Sequence, residues 1–252
     1  KVVMIGVFIT ARLGSTRLSE KHLIEVYQKP LIKWLVERFS IAFKENIEKN
    51  DLKIFITTSI KTENKKFESI FDKSEVEVFY GSDENIPLRH LECAVENDID
   101  YIISIDGDDI LCSTEASKSV VEKLLSGSSM VQTKGLPLGM NSTGYSKMFL
   151  KNSLKGIESN KLETGWGKIF DASKIEFIQL KTDVSIEKIR MTLDYEPDAD
   201  FFKKVLSNID VLNVTDNILI DTILKNKWNQ LNNHLDNIYW SNFNKQKQEK
   251  IK

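Results

Sequence analysis

The sequence predicts an α/β fold built on a mostly parallel mixed sheet flanked by helices. Three observations carry that expectation. Short apolar runs alternate with amphipathic stretches through the first half of the chain, the pattern of right-handed strand–helix–strand units. The first run, residues 2–10, is almost continuously apolar and rich in β-branched residues, as in a strand covered on both faces. Two of the runs end in loops dense with charge, and ligands of open α/β sheets bind beyond the carboxyl ends of the strands.

The elements follow in order. After the first strand comes a polar loop, residues 11–21. Residues 30–46 carry Leu31, Trp34, Leu35, Arg38, Phe39 and Ala42 at helical spacing, and Pro30 suits the first turn. Ile54, Phe55 and Ile56 mark a second strand over 53–58; a helix is expected over 62–71 and a third strand over 76–79. Gly81, Ser82 and Asp83 turn the chain into a helix over 88–97, and a fourth strand over 101–105 ends at Asp106. Ser113, Thr114 and Glu115 open a helix that runs to residue 125, with a hydroxyl at its cap. In the second half, strands are expected over 130–133, 175–180 and 189–193, a turn at Leu136, Pro137, Leu138 and Gly139, and a helix over 198–207. The Lys- and Gln-rich end is expected to fray. With no internal repeat and no low-complexity linker, residues 1–252 read as a single domain carrying a polar helical C-terminal extension from about 221.

A chain of 252 residues can bury a sizeable core. Its 35 Lys and Arg nearly balance 37 Asp and Glu, for a net charge of −2. Such a balance offers no electrostatic footprint for nucleic acid or for an anionic membrane surface. No apolar run approaches the ~20 residues a membrane span needs. The N-terminal run is too short for a signal peptide and lacks a small-residue cleavage site, so it reads as strand. Cys93 and Cys112 lack metal-ligand spacing and would make a thin disulfide framework; two semi-buried thiols in the cytoplasm are expected. His22, His90 and His234 are scattered and form no metal-site pattern.

The loop at residues 11–21 gathers Arg12, Arg17 and Lys21 around Gly14, Ser15 and Thr16. A triphosphate needs close backbone approach, N–H donors and several cations. Small residues permit the approach and the cations neutralise the charge. Three cations alone would read as a solvated basic surface; set around Gly-Ser-Thr at the exit of an apolar strand, they favour phosphate. After the fourth strand, Asp106, Asp108 and Asp109 crowd around Gly107. Their repulsion is costly unless a cation lies among them. Mg²⁺ meets that need, because it takes one or two carboxylates plus substrate phosphates; an acidic turn capping a helix is the plainer alternative. Asp194 ends the strand expected over 189–193 and could supply the same metal from across the sheet, although Glu196, Pro197 and Asp198 beside it are an ordinary helix start. Without metal, Asp108 and Asp194 would form a like-charge pair whose removal relieves repulsion.

These loops resemble those of the cytidylyltransferase family that includes 3-deoxy-manno-octulosonate cytidylyltransferase and the spore coat polysaccharide biosynthesis protein F group. Members carry an Ala-Arg-x-Gly-Ser-Thr-Arg-Leu-x-x-Lys-like loop, matched here by Arg12, Gly14, Ser15, Thr16, Arg17, Leu18 and Lys21. Gly107 and Asp108 match a Gly-Asp step, and Thr192 and Asp194 match a late Thr-x-Asp segment. Gly81, Asp83, Leu88 and Arg89 match a middle segment of Gly, acid, Leu and Arg. The resemblance spans residues 3–205. It departs at Ser19 and Glu20, where glycine and proline are usual, at Asp106, where the octulosonate enzymes have Gln, by one extra residue before the late acidic pair, and over 139–170, which match no nameable acceptor pocket.

The resemblance implies a Rossmann-like nucleotidyltransferase fold and the transfer of CMP from CTP, with release of pyrophosphate. It implies Mg²⁺ on Asp108 and Asp194. Arg12, Arg17 and Lys21 would hold the triphosphate and, with Asp108, carry catalysis. Ala11, Gly14, Ser15 and Thr16 would contact the nucleotide from the first loop, and Thr58, Arg89, Asp106 and Gly107 from elsewhere. The acceptor is expected to be small and anionic, an acidic sugar or a phosphorylated or phosphonate compound, for surface polysaccharide or glycoconjugate biosynthesis. A homodimer is implied as well. Trp228, Leu231, Leu235, Ile238 and Tyr239 give it an apolar stripe, which could equally pack on its own domain. Two other readings stay open. A GT-A glycosyltransferase would use Asp106, Gly107 and Asp108 as an Asp-x-Asp motif, but its donor lacks the γ-phosphate that the loop cations would meet. A non-catalytic nucleotide-binding protein would have no need of both metal carboxylates.

Overall fold

The computed structural model describes residues 2–182 and 184–249, the side chains of Tyr239 and of 246–249 excepted. In chain order the elements are β1 (Ile5–Thr10), a small hairpin of β2 (Glu25–Val26) and β3 (Lys29–Pro30), α1 (Leu31–Ala42), α2 (Lys44–Glu48), β4 (Leu52–Ser59), β5 (Glu77–Gly81), α3 (Ile86–Glu96) and β6 (Tyr101–Asp106). Then come α4 (Thr114–Leu125), β7 (Met130–Lys134), β8 (Thr143–Ser146), α5 (Lys147–Ser153), β9 (Ile175–Gln179), α6 (Glu196–Leu206), α7 (Asp216–Lys225) and α8 (Asp236–Glu249).

Seven strands form one sheet in the order β5-β4-β1-β6-β8-β7-β9. β1 lies parallel between β4 and β6, β4 is parallel to β5, and β7 to β9. Only β8 opposes its neighbours, β6 and β7. The sheet is thus mixed and mostly parallel, as expected. Patterning does not mark β8, because its Thr-Gly-Tyr-Ser is too short and too polar to read as a buried strand.

Period-two alternation sends β1 side chains into two separate cores. Val7 and Ile9 pack with Ile32, Leu35 and Phe39 of α1 and with Val120 and Leu124 of α4. Phe8 packs on the other face with Cys93 and Ala94 of α3 and Leu150 of α5. A third cluster joins Ile110 and Leu111, just past β6, to Phe202 of α6 and Ile220 of α7. The boundary expected near residue 221 therefore falls inside a helix whose Leu219, Ile220 and Ile223 are core. Within the apolar stripe, Leu235 is buried and Trp228 packs on the third cluster, whereas Leu231 and Ile238 are exposed; the Tyr239 side chain lies outside the described residues. No helix among the described residues is long and apolar enough to cross a membrane. Cys93 and Cys112 are free and buried.

Local signals mostly hold. Ser113 caps α4 by accepting from Ala116 N at 2.8 Å, and Asn85 caps α3 by accepting from Leu88 N at 3.0 Å. The helix expected over 30–46 breaks at Phe43, and Pro30 is its cap rather than part of its first turn. Thr62–Ser69 is a 3-10 helix rather than an α-helix.

The strand expected over 189–193 does not form. The segment 189–193 is extended but does not join the sheet. Met191 N donates to Leu138 O at 2.8 Å and Leu193 N to Asp108 O at 2.9 Å, so the segment lies on the loops beyond β6 and β7. Its alternation is real: Ile189, Met191 and Leu193 enter the third cluster. Arg190 turns instead to the start of α6, where Asp198 accepts from its Nε at 2.9 Å and its Nη2 at 3.1 Å. The other contacts of Asp198 come from the backbone N–H groups of Asp194 and Tyr195, each at 3.0 Å, and from Asn232 Nδ2 at 2.9 Å. Arg190 and Asp198 are both fully buried. Truncating one partner of such a pair strands the other charge, so Asp198→Ala should cost about 3–5 kcal/mol in urea unfolding. Glu48→Ala, which removes the exposed pair with Lys44, should cost no more than about 0.5 kcal/mol.

A buried polar chain lies under the first strand. His90 Nε2 is 2.7 Å from Thr10 Oγ1 and 3.4 Å from Thr57 Oγ1, and His90 Nδ1 is 2.7 Å from Tyr145 Oη. Burial, and next to it the charge of Arg89, push the imidazole pKa down to about 3. Once unfolded, the ring regains a pKa of about 6.5 and binds a proton that the native state refuses. Stability from this group is therefore complete above pH ~6.5 and is lost as the pH falls toward 3, by up to about 1.4 kcal/mol per pH unit. His90→Gln should flatten that limb in denaturant melts between pH 7 and 4.

Candidate active site

β1 and β6 are neighbours, with Thr10 opposite Asp106. The basic loop and the acidic loop therefore leave the sheet side by side. Gly107 permits their close approach: its N–H donates to Thr10 O at 2.8 Å, and a Cβ there would stand 2.7 Å from that same oxygen. Between the loops opens a cleft of about 460 Å³. Ala11, Arg12, Gly14, Ser15, Thr16, Arg17 and Lys21 line one side, Asp106 and Asp108 the floor, and Arg89 the back. Such a volume suits a small ligand.

The ammonium of Lys21 sits at the centre. It is buried, 2.6 Å from Asp108 Oδ2, 2.8 Å from Leu193 O and 3.5 Å from Asp194 Oδ1. Arg17 Nη2 meets the same Asp194 oxygen at 2.8 Å, and its guanidinium lies 5.4 Å from the Tyr195 ring centroid. The other oxygen of Asp108 is 2.8 Å from His22 Nε2. Asp108 and Asp194 thus converge, but not from two strand ends. Asp194 arrives on the extended segment pinned to Asp108 O. The like-charge pair expected of these two carboxylates is bridged by Lys21, so removing either one leaves a buried cation less neutralised, a cost rather than a relief.

Charge distribution in the cleft is uneven. Burial works against the Lys21 charge, yet Asp108 and Asp194 hold its pKa above the ordinary value. Enclosure also works against ionised Asp108, and Lys21 and His22 outweigh it, holding that carboxyl well below the usual range. Asp106 has its side chain open to the cleft; enclosure by the cleft walls, and then the charge of Asp108, push it up to about 7. Asp109 is raised well above its ordinary value by burial and by Asp106 and Asp108.

Other expected site residues stand differently. Arg12 is half-exposed at the mouth and pairs with Glu163. Arg89 is buried, and its donors go to the carbonyls of Ser82 at 2.8 Å, Asp83 at 2.9 Å and Thr57 at 3.4 Å. It shapes the back wall by holding backbone. Thr58 is fully buried away from the cleft, because strand alternation turns it opposite to Thr57, whose Oγ1 meets that of Thr10. His22, Tyr195, Glu163 and Trp166 surround the site without having been legible as site residues. His22 and Tyr195 adjoin Lys21 and Asp194 in sequence, which was their only signal. Among the described residues no group of three or more His, Cys, Asp or Glu is placed to hold a metal.

Comparison with known proteins bears on the fold and the family. The chain is 28% identical over 228 residues to an uncharacterised protein of Methanocaldococcus jannaschii, covering 88% of this chain and 91% of that one. Its fold is similar to that of a cytidylyltransferase from Leptospira borgpetersenii serovar Hardjo-bovis, with a TM-score of 0.77 and 21% identity over 90% of this chain and 96% of that one. It is also similar to that of a CMP:2-keto-3-deoxy-manno-octonic acid synthetase complexed with CTP, with a TM-score of 0.61 and 13% identity over 81% and 98% of the two chains. At such identities the likeness is one of fold. Residues 7–164, which hold β1, the basic loop, β6 and the acidic loop, match the sequence profile of the cytidylyltransferases, and the chain belongs to that family.

Proposed function

We propose that this chain transfers CMP from CTP to a small acceptor carrying a negative group. The observation that carries the reading is the convergence of Arg17 and Lys21 on Asp108 and Asp194 at the adjoining ends of β1 and β6. An acceptor oxygen attacks the α-phosphorus. The new P–O bond forms as the bond from that phosphorus to the bridging oxygen breaks, and pyrophosphate leaves with the electron pair. Where the acceptor is a hydroxyl, its proton passes to solvent in the cleft.

Most of the catalysis asked of the protein is positioning and charge stabilisation. Gly14, Ser15 and Thr16 let backbone N–H groups approach the phosphates. Arg17 and Lys21 exchange carboxylate contacts for phosphate oxygens and stabilise the leaving pyrophosphate. Arg12, drawn from Glu163, holds the triphosphate at the mouth. Ala11, Asp106 and Gly107 border the nucleotide, and Arg89 keeps the back wall in shape. Asp108 and Asp194 would hold Mg²⁺. They fit it, since both already lean on one cation, the Lys21 ammonium, and Mg²⁺ needs only one or two carboxylates beside substrate phosphates. Bound there, it would neutralise charge on the α-phosphate.

We place the reaction in the cytoplasm, in surface polysaccharide or glycoconjugate biosynthesis, and the chain in a homodimer. The two unpaired buried thiols support the cytoplasmic placement, and the exposed Leu231 and Ile238 the homodimer; the biosynthetic placement follows the family resemblance alone.

Arg17→Ala, and to a lesser degree Lys21→Ala, should weaken CTP binding far more than CMP binding, by about 1.5–3 kcal/mol per lost charge-assisted contact. Calorimetric titration of both nucleotides measures this, and equal loss for CTP and CMP would move these cations off the β- and γ-phosphates. Asp108→Asn and Asp194→Asn should each slow turnover by about 10²-fold or more, about 3 kcal/mol of barrier. Groups acting as a unit are non-additive, so the double variant should be little slower than either single one. Pyrophosphate release across a Mg²⁺ titration reads the rates and separates this reaction from glycosyl transfer. Near-normal turnover in Asp194→Asn would detach the late segment from the chemistry.

A further inference from the structure

Beside the cleft lies a second cavity of about 250 Å³. The two share Ser104, Ile105, Asp106 and Trp166, so whatever occupies the second ends next to the floor of the first. We propose that this cavity holds the part of the acceptor remote from its reacting oxygen, and that this part is an uncharged, hydroxyl-bearing chain or ring. The inference rests on the transferase reading above.

Its floor is the sheet itself. Ser104 of β6 is in register with Thr143 of β8, and Thr143 with Gln132 of β7. Residues in register project to the same face. The result is a row of hydroxyl, hydroxyl and carboxamide across three adjacent strands. One step back along the strands, the corresponding row is Ile102, Tyr145 and Met130, all buried. The surface under the cavity thus changes from apolar to polar where it meets the cleft. Gln132 and Thr143 are half-buried, and their side chains have no hydrogen-bond partner among the described residues. A carboxamide both donates and accepts, and so does a hydroxyl of a ligand.

The walls add a second, independent constraint. Trp166 and Phe170 present aromatic surface, suited to the C–H faces of a sugar or polyol. Asn141 Nδ2 donates to Leu136 O at 2.9 Å, which fixes that part of the rim. Among the described residues no Lys, Arg or His lines the cavity; its carboxyl groups are those of Asp106 and Asp109. A carboxylate or phosphate placed here would be desolvated with no cation to neutralise it. A hydroxyl escapes that penalty. The negative group expected of the acceptor therefore belongs at its reacting end, in the cleft with Arg17 and Lys21, and not at its far end.

Matched probes that differ only at the far end test this. Glucose 1-phosphate and glucuronic acid 1-phosphate form one pair, and ribitol 5-phosphate and 5-phosphoribonate a second. Their binding is measured by calorimetry on the whole chain with a non-hydrolysable CTP analogue present. In at least one pair the hydroxyl-ended member should bind about tenfold more tightly than its carboxylate-ended partner, the scale of one hydrogen bond. Gln132→Ala should weaken it by a similar factor with affinity for the CTP analogue unchanged. Gln132→Lys should shift the preference toward the carboxylate-ended member, a gain that a merely unfolded variant could not produce. Equal or tighter binding of the carboxylate-ended members, indifference to both substitutions, or no binding of any probe while the CTP analogue binds would overturn the assignment. Failure of the wild-type chain to bind the CTP analogue would instead remove the transferase reading beneath it.

Discussion

One buried ammonium organises this site. Lys21 touches Asp108 from the loop after β6, and Asp194 and the Leu193 carbonyl from a segment far along the chain. A buried cation is tolerable only with close anionic partners, and these anions would repel one another without it. The three groups therefore enforce each other's positions. On the proposed reading, phosphate oxygens would take over these cations while a metal ion would take the carboxylates.

Support for that arrangement comes from outside the cleft. The segment 189–194 is held by backbone bonds to Leu138 and Asp108, by its apolar residues in the third cluster, and by Arg190 on Asp198. Asp198 also accepts from the N–H groups of Asp194 and Tyr195, so one carboxylate sets the start of α6 and the orientation of the residues beside the cleft. The C-terminal helix joins in through Asn242 Nδ2, which donates to Tyr195 Oη at 3.0 Å, while the Tyr195 ring lies by Arg17. The loop that would meet the triphosphate is thus braced by parts of the chain outside the residues that match the family profile.

The two cavities differ in their cations, which line the cleft and not the second cavity among the described residues. The cleft collects cations and acids at strand ends, while the second cavity is walled by aromatic rings over a neutral polar row. Trp166 belongs to both, and it also packs edge-on against His90 and Tyr145, with ring centroids 5.8 and 6.2 Å away. The neutral, buried chain from Thr10 through His90 to Tyr145 therefore backs the Trp166 wall shared by the two cavities. Burial, and next to it the charge of Arg89, keep its imidazole uncharged near neutral pH.

By itself, the sequence determined what depends on neighbouring residues: the buried strands β1, β4 and β6, the cap of α4, and the loops that hold Arg12, Arg17, Lys21, Asp106 and Asp108. Chemistry and position coincide there, because a charged loop directly follows an apolar run. Tertiary structure decided what depends on partners distant in sequence. Alternation of Ile189, Met191 and Leu193 is the same whether a segment joins a sheet or packs on loops, and only Arg190, needing Asp198, separates the two. Arg89 and Thr58 were legible as polar residues near the site, but not that one would be engaged by carbonyls and the other turned away. The row of Ser104, Thr143 and Gln132 is invisible in the chain, because strand register, not sequence spacing, brings three separate strands to one level.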